Sequence, residues 1–242
     1  MGFLQKIGVW GDSVLKGVVL DEIRGTYQLL AHSCVRMVEQ TLNVRIINKS
    51  RFGCTIDKGH EHLKKALDKG LDCDLVLLEY GGNDCDFDWP SVSADPLAPH
   101  QPRTPLPIFI KTLEEMVFLL RSHDIEPILM SLPPISGTRY LDFISSKGPN
   151  RDQLLVFLGD AQQIYQYHEW YSSSITHLAA RQRCLYAPVR EAFLEQGHCH
   201  RFLCSDGIHP NEQGHQLMLQ VFTNLGKQAL PGLPHSVERD RV

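Results

Sequence analysis

The sequence predicts an α/β fold: a parallel sheet with helices on both faces. Three observations carry that prediction. Short apolar or β-branched runs alternate with longer segments of helical periodicity. The run Asp74-Leu75-Val76-Leu77-Leu78-Glu79-Tyr80 is almost continuously apolar, as a strand buried on both faces must be. The runs end in short polar turns, among them Gly11-Asp12-Ser13, Arg51-Phe52-Gly53 and Gly81-Gly82-Asn83. Right-handed crossovers would bring those turns to one edge, where open α/β sheets hold their ligands.

The elements follow in order. Ile7 to Trp10 reads as the first strand. Val14 to Leu20 reads as a loop or short turn, and Tyr27 to Thr41 as a helix, because Leu29, Leu30, Val35, Met37 and Val38 recur near helical spacing. Asn43 to Asn48 is a second strand, and a helix runs from Ile56 to about Lys69, ending at Gly70. The third strand is Asp74–Tyr80. Residues 85–107 carry so many prolines that an irregular excursion is expected, and a loop of that length is more often functional than connective. A helix from Ile108 to His123 leads into a fourth strand, Glu126 to Ser131. A second irregular excursion spans 133–151. Gln153 to Gln182 is helical with an interruption at Gly159, Cys184 to Val189 is a fifth strand, and a short helix reaches Gln196. The stretch 201–205 reads as extended, and a last helix runs from Asn211 to about Leu230. Residues 1–230 are expected to form a single domain, and the tail from Pro231 to fray.

Composition excludes more than it identifies. With 43% hydrophobic residues, 21% charged residues and a net charge of -4, the chain is an ordinary globular protein with no electrostatic reason to bind nucleic acid or an anionic membrane. No apolar stretch is long enough to span a bilayer, and the first residues read as a strand rather than a signal peptide, so no membrane anchor and a cytoplasmic location are expected. The seven cysteines lack a disulfide-domain spacing and read as reduced thiols. His198-Cys199-His200 with Cys204 contains metal-ligand residue types, but the spacing matches no closed site and no second ligand pair follows. Cys204 reads instead as a small buried apolar residue. Oligomeric state is not legible.

The chemistry gathers at the turns. A serine hydroxyl at the end of a first strand is a candidate nucleophile, yet it needs a base to take its proton. Histidine suits that task, and His209 stands three residues after Asp206 in Asp206-Gly207-Ile208-His209-Pro210. The carboxylate could reach back around the glycine turn to the imidazole nitrogen that faces away from the serine. Read alone, the same stretch serves equally as a helix cap followed by an exposed histidine. Acyl transfer also needs hydrogen-bond donors aimed at an oxyanion; the backbone N–H groups of Ser13 and Gly53 and the side-chain amide of Asn83 are the candidates. Expected substrate contacts are Asp12, Arg51, Asp84 and Trp89, with Lys49 a second candidate for an anionic group. Trp89, Tyr140 and the aromatic group Tyr165, Tyr167, Trp170 and Tyr171 could stack on sugars, although most aromatics serve as core.

Taken together, Gly11-Asp12-Ser13, Gly53-Cys54-Thr55, Gly82-Asn83-Asp84 and the run Asp206 to His215 resemble the SGNH subgroup of the GDSL hydrolase family. The resemblance spans residues 11–215. It implies a three-layer α/β/α sandwich with a five-stranded parallel sheet of flavodoxin-like type, and no metal or organic cofactor. It further implies Ser13 as nucleophile, His209 as base and acid, Asp206 as its orienting carboxylate, an oxyanion hole of Ser13, Gly53 and Asn83, and Gly214 as a packing point of the last helix. Hydrolysis of carboxylic esters through an acyl-enzyme is the implied activity, with a lysophospholipase, thioesterase or acyltransferase as alternatives and a non-catalytic binding module as the rival from another class. A binding module, however, has no need of a nucleophile, a base and oxyanion donors together. The family's usual leucine after the serine is Val14 here, and segments 85–107 and 133–151 exceed the connections of compact members. The aromatics in and near those segments point to small acyl groups, such as acetyl, on a polar or carbohydrate carrier.

Overall fold

The computed structural model describes residues 5–229; the expected fraying of the tail lies outside them. In chain order the elements are β1 (Lys6–Gly11), α1 (Ser13–Lys16), β2 (Val18–Asp21), β3 (Thr26–Leu29), α2 (Cys34–Leu42), β4 (Arg45–Asn48), α3 (Ile56–Leu67), β5 (Leu75–Glu79), α4 (Trp89–Ala94) and α5 (Leu106–Arg121). After these come β6 (Glu126–Met130), α6 (Gly137–Ser145), α7 (Arg151–Leu158), α8 (Gln162–Gln182), β7 (Leu185–Ala187), α9 (Val189–Glu195), a 3-10 turn (Cys199–Phe202) and α10 (Glu212–Ala229).

Five of the strands form one parallel sheet in the order β4-β1-β5-β6-β7. Leaving out the hairpin β2-β3, this is the doubly wound 2-1-3-4-5 order, whose switch point lies between the first and third strands. Here that point is the gap between the ends of β1 and β5, so Ser13 and Asn83 flank it. Alternation along each strand divides the core. Trp10, Val76, Leu78 and Leu129 enter one layer with α3, α5 and α8, whereas Val9, Leu75, Leu77 and Met130 enter the other with α2, α9 and α10. Gly214 lets α10 close on the second layer: a Cβ there would lie 2.5 Å from the carbonyl oxygen of Phe202.

The structure corrects the sequence reading in four places. In the segment read as loop and then helix, the short α1 runs to Lys16, β2 then pairs with β3 as an antiparallel hairpin, and of the expected helix only the part within α2 is helical. Its turn at Gly25 takes φ of +64°, and Leu20 and Tyr27 pack with Val19 and Cys204. The segment 85–107 contains α4, because Pro90 falls in the first helical turn, where the missing N–H costs nothing. The segment 133–151 contains α6, capped by the Ser136 side chain. These two excursions are not loose. Phe87, Trp89, Val92, Leu141, Ile144, Leu154, Leu158 and Ile164 form a core of their own at the carboxyl edge of the sheet. Asp86 joins the two excursions, accepting from Trp89 Nε1 at 2.7 Å and from the Tyr140 hydroxyl at 2.9 Å. Residues 201–205, expected to be extended, begin in the 3-10 turn; Leu203 then bridges Pro210, and Cys204 is buried as expected.

Candidate active site

β1 ends at Gly11, and Asp12 starts α1 by accepting the backbone N–H of Val14 at 2.8 Å. That cap holds Ser13 as the first helical residue, at the switch point. The loop before α10 supplies its partners. Asp206 Oδ1 accepts the backbone N–H groups of Ile208 and His209 at 3.0 and 3.1 Å, a local turn that curls the chain back on itself. Asp206 Oδ2 then meets His209 Nδ1 at 2.6 Å, and His209 Nε2 lies 2.9 Å from Ser13 Oγ. A carboxylate can only accept, so Nδ1 carries the proton and Nε2 is left to accept the serine hydroxyl. Burial by itself would raise the Asp206 carboxyl, but hydrogen bonds from the His209 side chain and from two backbone N–H groups outweigh it and hold the group below its ordinary range. All three side chains are buried.

The donors expected for an oxyanion border the same cavity. Gly53 sits at φ +65°, a conformation that suits glycine, and its N–H, like that of Ser13, has no acceptor among the described residues. Asn83 donates one amide N–H to Asp12 Oδ2 at 2.7 Å, which fixes which end of the amide is nitrogen and leaves its second N–H free. Ser13, Gly53, Asn83 and His209 all line one cavity of about 130 Å³. Around His209, Tyr27 packs edge-on at 4.9 Å and Phe52 stacks at 6.3 Å.

A family model of GDSL-like lipases and acylhydrolases matches residues 9–217. The chain belongs to that family. It is therefore a hydrolase of ester bonds. Three solved structures similar to this GDSL-family hydrolase show the shared fold. A lipase/acylhydrolase from Enterococcus faecalis is 19% identical, with TM-score 0.63 over 93% of this chain and 97% of that one. An alpha/beta hydrolase enzyme from the metagenome of Lake Arreo, Spain, is 23% identical, with TM-score 0.65 over 93% and 97%. A catalytic mutant of an acetylxylan esterase from Geobacillus stearothermophilus is 19% identical, with TM-score 0.61 over 93% and 95%. No curated protein sequence matches the chain.

In this GDSL-family hydrolase the expected substrate contacts divide. Trp89 lines the cavity. Asp12 does too, but both its carboxylate oxygens are engaged, by Val14 and by Asn83, so it positions the amide instead of meeting substrate. Arg51 and Lys49 are exposed and do not line the cavity. The Arg51 backbone N–H donates to Gly11 O at 3.0 Å. Asp84 is fully buried outside the cavity and accepts the backbone N–H of Ile56 at 2.9 Å, capping α3. Of the aromatics, Tyr140 and Tyr167 line the cavity, whereas Tyr171 is core and Trp170 is exposed. Cys199 and Cys204 do not join the neighbouring histidines in a cluster: Cys199 Sγ bonds the carbonyl of Phe193.

Sequence reasoning missed Glu79, whose Oε2 accepts the backbone N–H of Asp12 at 3.1 Å beneath the Gly11-Asp12-Ser13 turn. A lone carboxyl at the end of an otherwise apolar strand was its signal. Burial first, and then the charge of Asp12, push Glu79 well above the usual carboxylate range. Tyr27 was hidden by the misread hairpin, and His168, which also borders the cavity, carried no local motif.

Asp84 offers a stability test. Burial pushes its carboxyl up to about 7, so between pH ~4 and ~7 the folded chain keeps a proton that the unfolded chain has lost. Stability contributed here falls as pH rises through that window. Asp84→Asn keeps an acceptor for Ile56 and removes the titration. The difference in Tm, variant minus native, is expected to grow by at least about 4 °C from pH 5 to pH 8 in thermal unfolding. A difference that stays constant with pH would show that this carboxyl does not titrate in that range.

Proposed function

We propose that this GDSL-family hydrolase is a serine esterase working through an acyl-enzyme on Ser13, within one catalytic domain of residues 1–230. The observation that carries the reading is the Ser13–His209–Asp206 relay, 2.9 Å and then 2.6 Å, opening on the cavity. Ser13 Oγ attacks the ester carbonyl while His209 Nε2 takes its proton. The carbonyl electron pair moves onto oxygen, where the N–H groups of Ser13, Gly53 and Asn83 hold it. The intermediate collapses, the carbon–oxygen bond to the alcohol breaks, and His209 protonates the leaving oxygen. Water then repeats the sequence on the acyl-serine and releases the acid. Asp206 keeps the imidazole in the required tautomer and stabilises the imidazolium.

The acyl group in this reading is small, such as acetyl, and the carrier is polar or carbohydrate. A cavity of about 130 Å³ supports this, being close to the ~150 Å³ that accepts a molecule the size of benzene. Trp89, Tyr140 and Tyr167 give it faces on which a sugar ring can stack. The similarity to an acetylxylan esterase points the same way. Seven unpaired cysteines support a reducing, cytoplasmic setting.

Two measurements test the reading. A labelled fluorophosphonate should modify Ser13, and among 4-nitrophenyl esters kcat/KM should fall from acetate through butanoate to octanoate. Absence of labelling would remove the nucleophile, and a preference for octanoate would remove the small-acyl assignment. Asn83→Ala should lower kcat about 10²- to 10³-fold with KM nearly unchanged, as loss of one oxyanion donor does. A change confined to KM would make Asn83 a ground-state contact.

A further inference from the structure

α8 carries His168 into the cavity wall, where it is 5% exposed. Its Nδ1 lies 2.7 Å from Arg190 Nη2, on a buried guanidinium whose other groups bond Ser172 Oγ, the Tyr165 hydroxyl and the Glu169 carboxylate. A guanidinium only donates, so Nδ1 must accept, and the one proton of a neutral imidazole then sits on Nε2. Burial, and after it the charge of Arg190, hold protonation of the ring well below the ordinary histidine range, so the neutral form is the one present. Nε2 has no acceptor among the described residues, yet it is not a sealed buried atom. The result is an oriented N–H beside a positive charge, on a side chain that lines the same cavity as Ser13 and His209. The carboxyl groups that line this cavity have partners already: Asp12 accepts from Val14 and Asn83, Glu79 from the backbone of Asp12, and Asp86 from Trp89 and Tyr140.

We propose that the Nε2–H of His168 is a specificity donor for the substrate, binding an ether, hydroxyl or carbonyl oxygen carried a few atoms from the scissile ester. The enzyme then discriminates against hydrocarbon groups of the same shape, because they leave this oriented donor unpaired. The proposal rests on the esterase reading for its kinetic test but not for its binding test.

Two pairs of isosteric esters probe the two sides of the ester. Methyl methoxyacetate against methyl butanoate varies the acyl side, and 2-methoxyethyl acetate against butyl acetate varies the alcohol side. In one pair the ether ester should be preferred in kcat/KM by about tenfold or more beyond the ratio of the two esters in alkaline hydrolysis. His168→Phe should collapse that preference, whereas His168→Gln, which can accept from Arg190 and still donate, should retain it. A comparison of two substrates within one variant is not moved by a general loss of active protein. Should the phenylalanine variant not fold, nitrogen-15 NMR of the Ser13→Ala protein decides the matter. His168 should be protonated at Nε2, and that signal should shift with the preferred ether ester and not with its isostere. Equal ratios in both pairs, a preference that survives His168→Phe, or an unprotonated or unresponsive Nε2 would overturn the proposal. Failure of the native protein to hydrolyse any of the four esters would count against the esterase reading, leaving the binding measurement to judge His168 by itself.

Discussion

Alanine at position 13 is expected to lower kcat for a small acetyl ester by at least about 10⁵-fold, the scale seen when a triad serine is removed. The relay loses its first atom, and nothing else in the cavity replaces it. Residual turnover of about 10³ to 10⁴ over water is expected from the oxyanion donors and from binding. The fold should not suffer. Ser13 Oγ bonds His209, whereas α1 is started by the Asp12 side chain, which the substitution leaves in place. Steady-state kinetics with 4-nitrophenyl acetate, beside a thermal unfolding curve, check both halves. Retained activity in a folded variant would show that another group attacks.

Asparagine at position 206 should lower kcat by about 10⁴-fold while KM changes little, the pattern of a misdirected tautomer. Its side-chain oxygen can still accept the N–H groups of Ile208 and His209, so the turn is kept. Its amide nitrogen would face His209 Nδ1, however, and a donor there forces Nδ1 to accept. The imidazole proton then moves to Nε2, which meets the serine hydroxyl with a hydrogen instead of a lone pair. A loss of less than about tenfold would mean that Asp206 does not set the tautomer. The two carboxyls Asp206 and Asp84 also make a useful contrast. The hydrogen bond from His209, its charge and two backbone N–H groups outweigh burial and hold Asp206 below its ordinary range, while Asp84, with fewer donors, is pushed up to about 7.

Most of this architecture was legible before any coordinate. The five sheet strands lie where the apolar runs placed them, and the order of Ser13, Gly53, Asn83, Asp206 and His209 along the chain carried the family resemblance. Such features are local: a strand buried on both faces is apolar along its length, and a turn at its end needs glycine and small polar residues. The hairpin at Tyr27 was misread because the close pair Leu29 and Leu30, followed by the α2 pattern, mimics one continuous helical period. The helices α4 and α6 were missed because proline density reads as a break, although Pro90 stands in a first turn that tolerates it.

Neighbouring residues along the chain fix the set of chemical groups and the sheet edge at which they emerge, because strand burial and turn chemistry are local properties. Tertiary structure alone decided which way those groups face. Asn83 and Asp84 are adjacent, yet one borders the cavity and the other caps α3, since the choice depends on where the N-terminus of that helix arrives. Likewise Glu79 beneath Asp12, and Arg190 against His168, bring together residues 67 and 22 positions apart. Hydrogen-bond direction and desolvation belong to such pairs, and no single stretch of chain contains them.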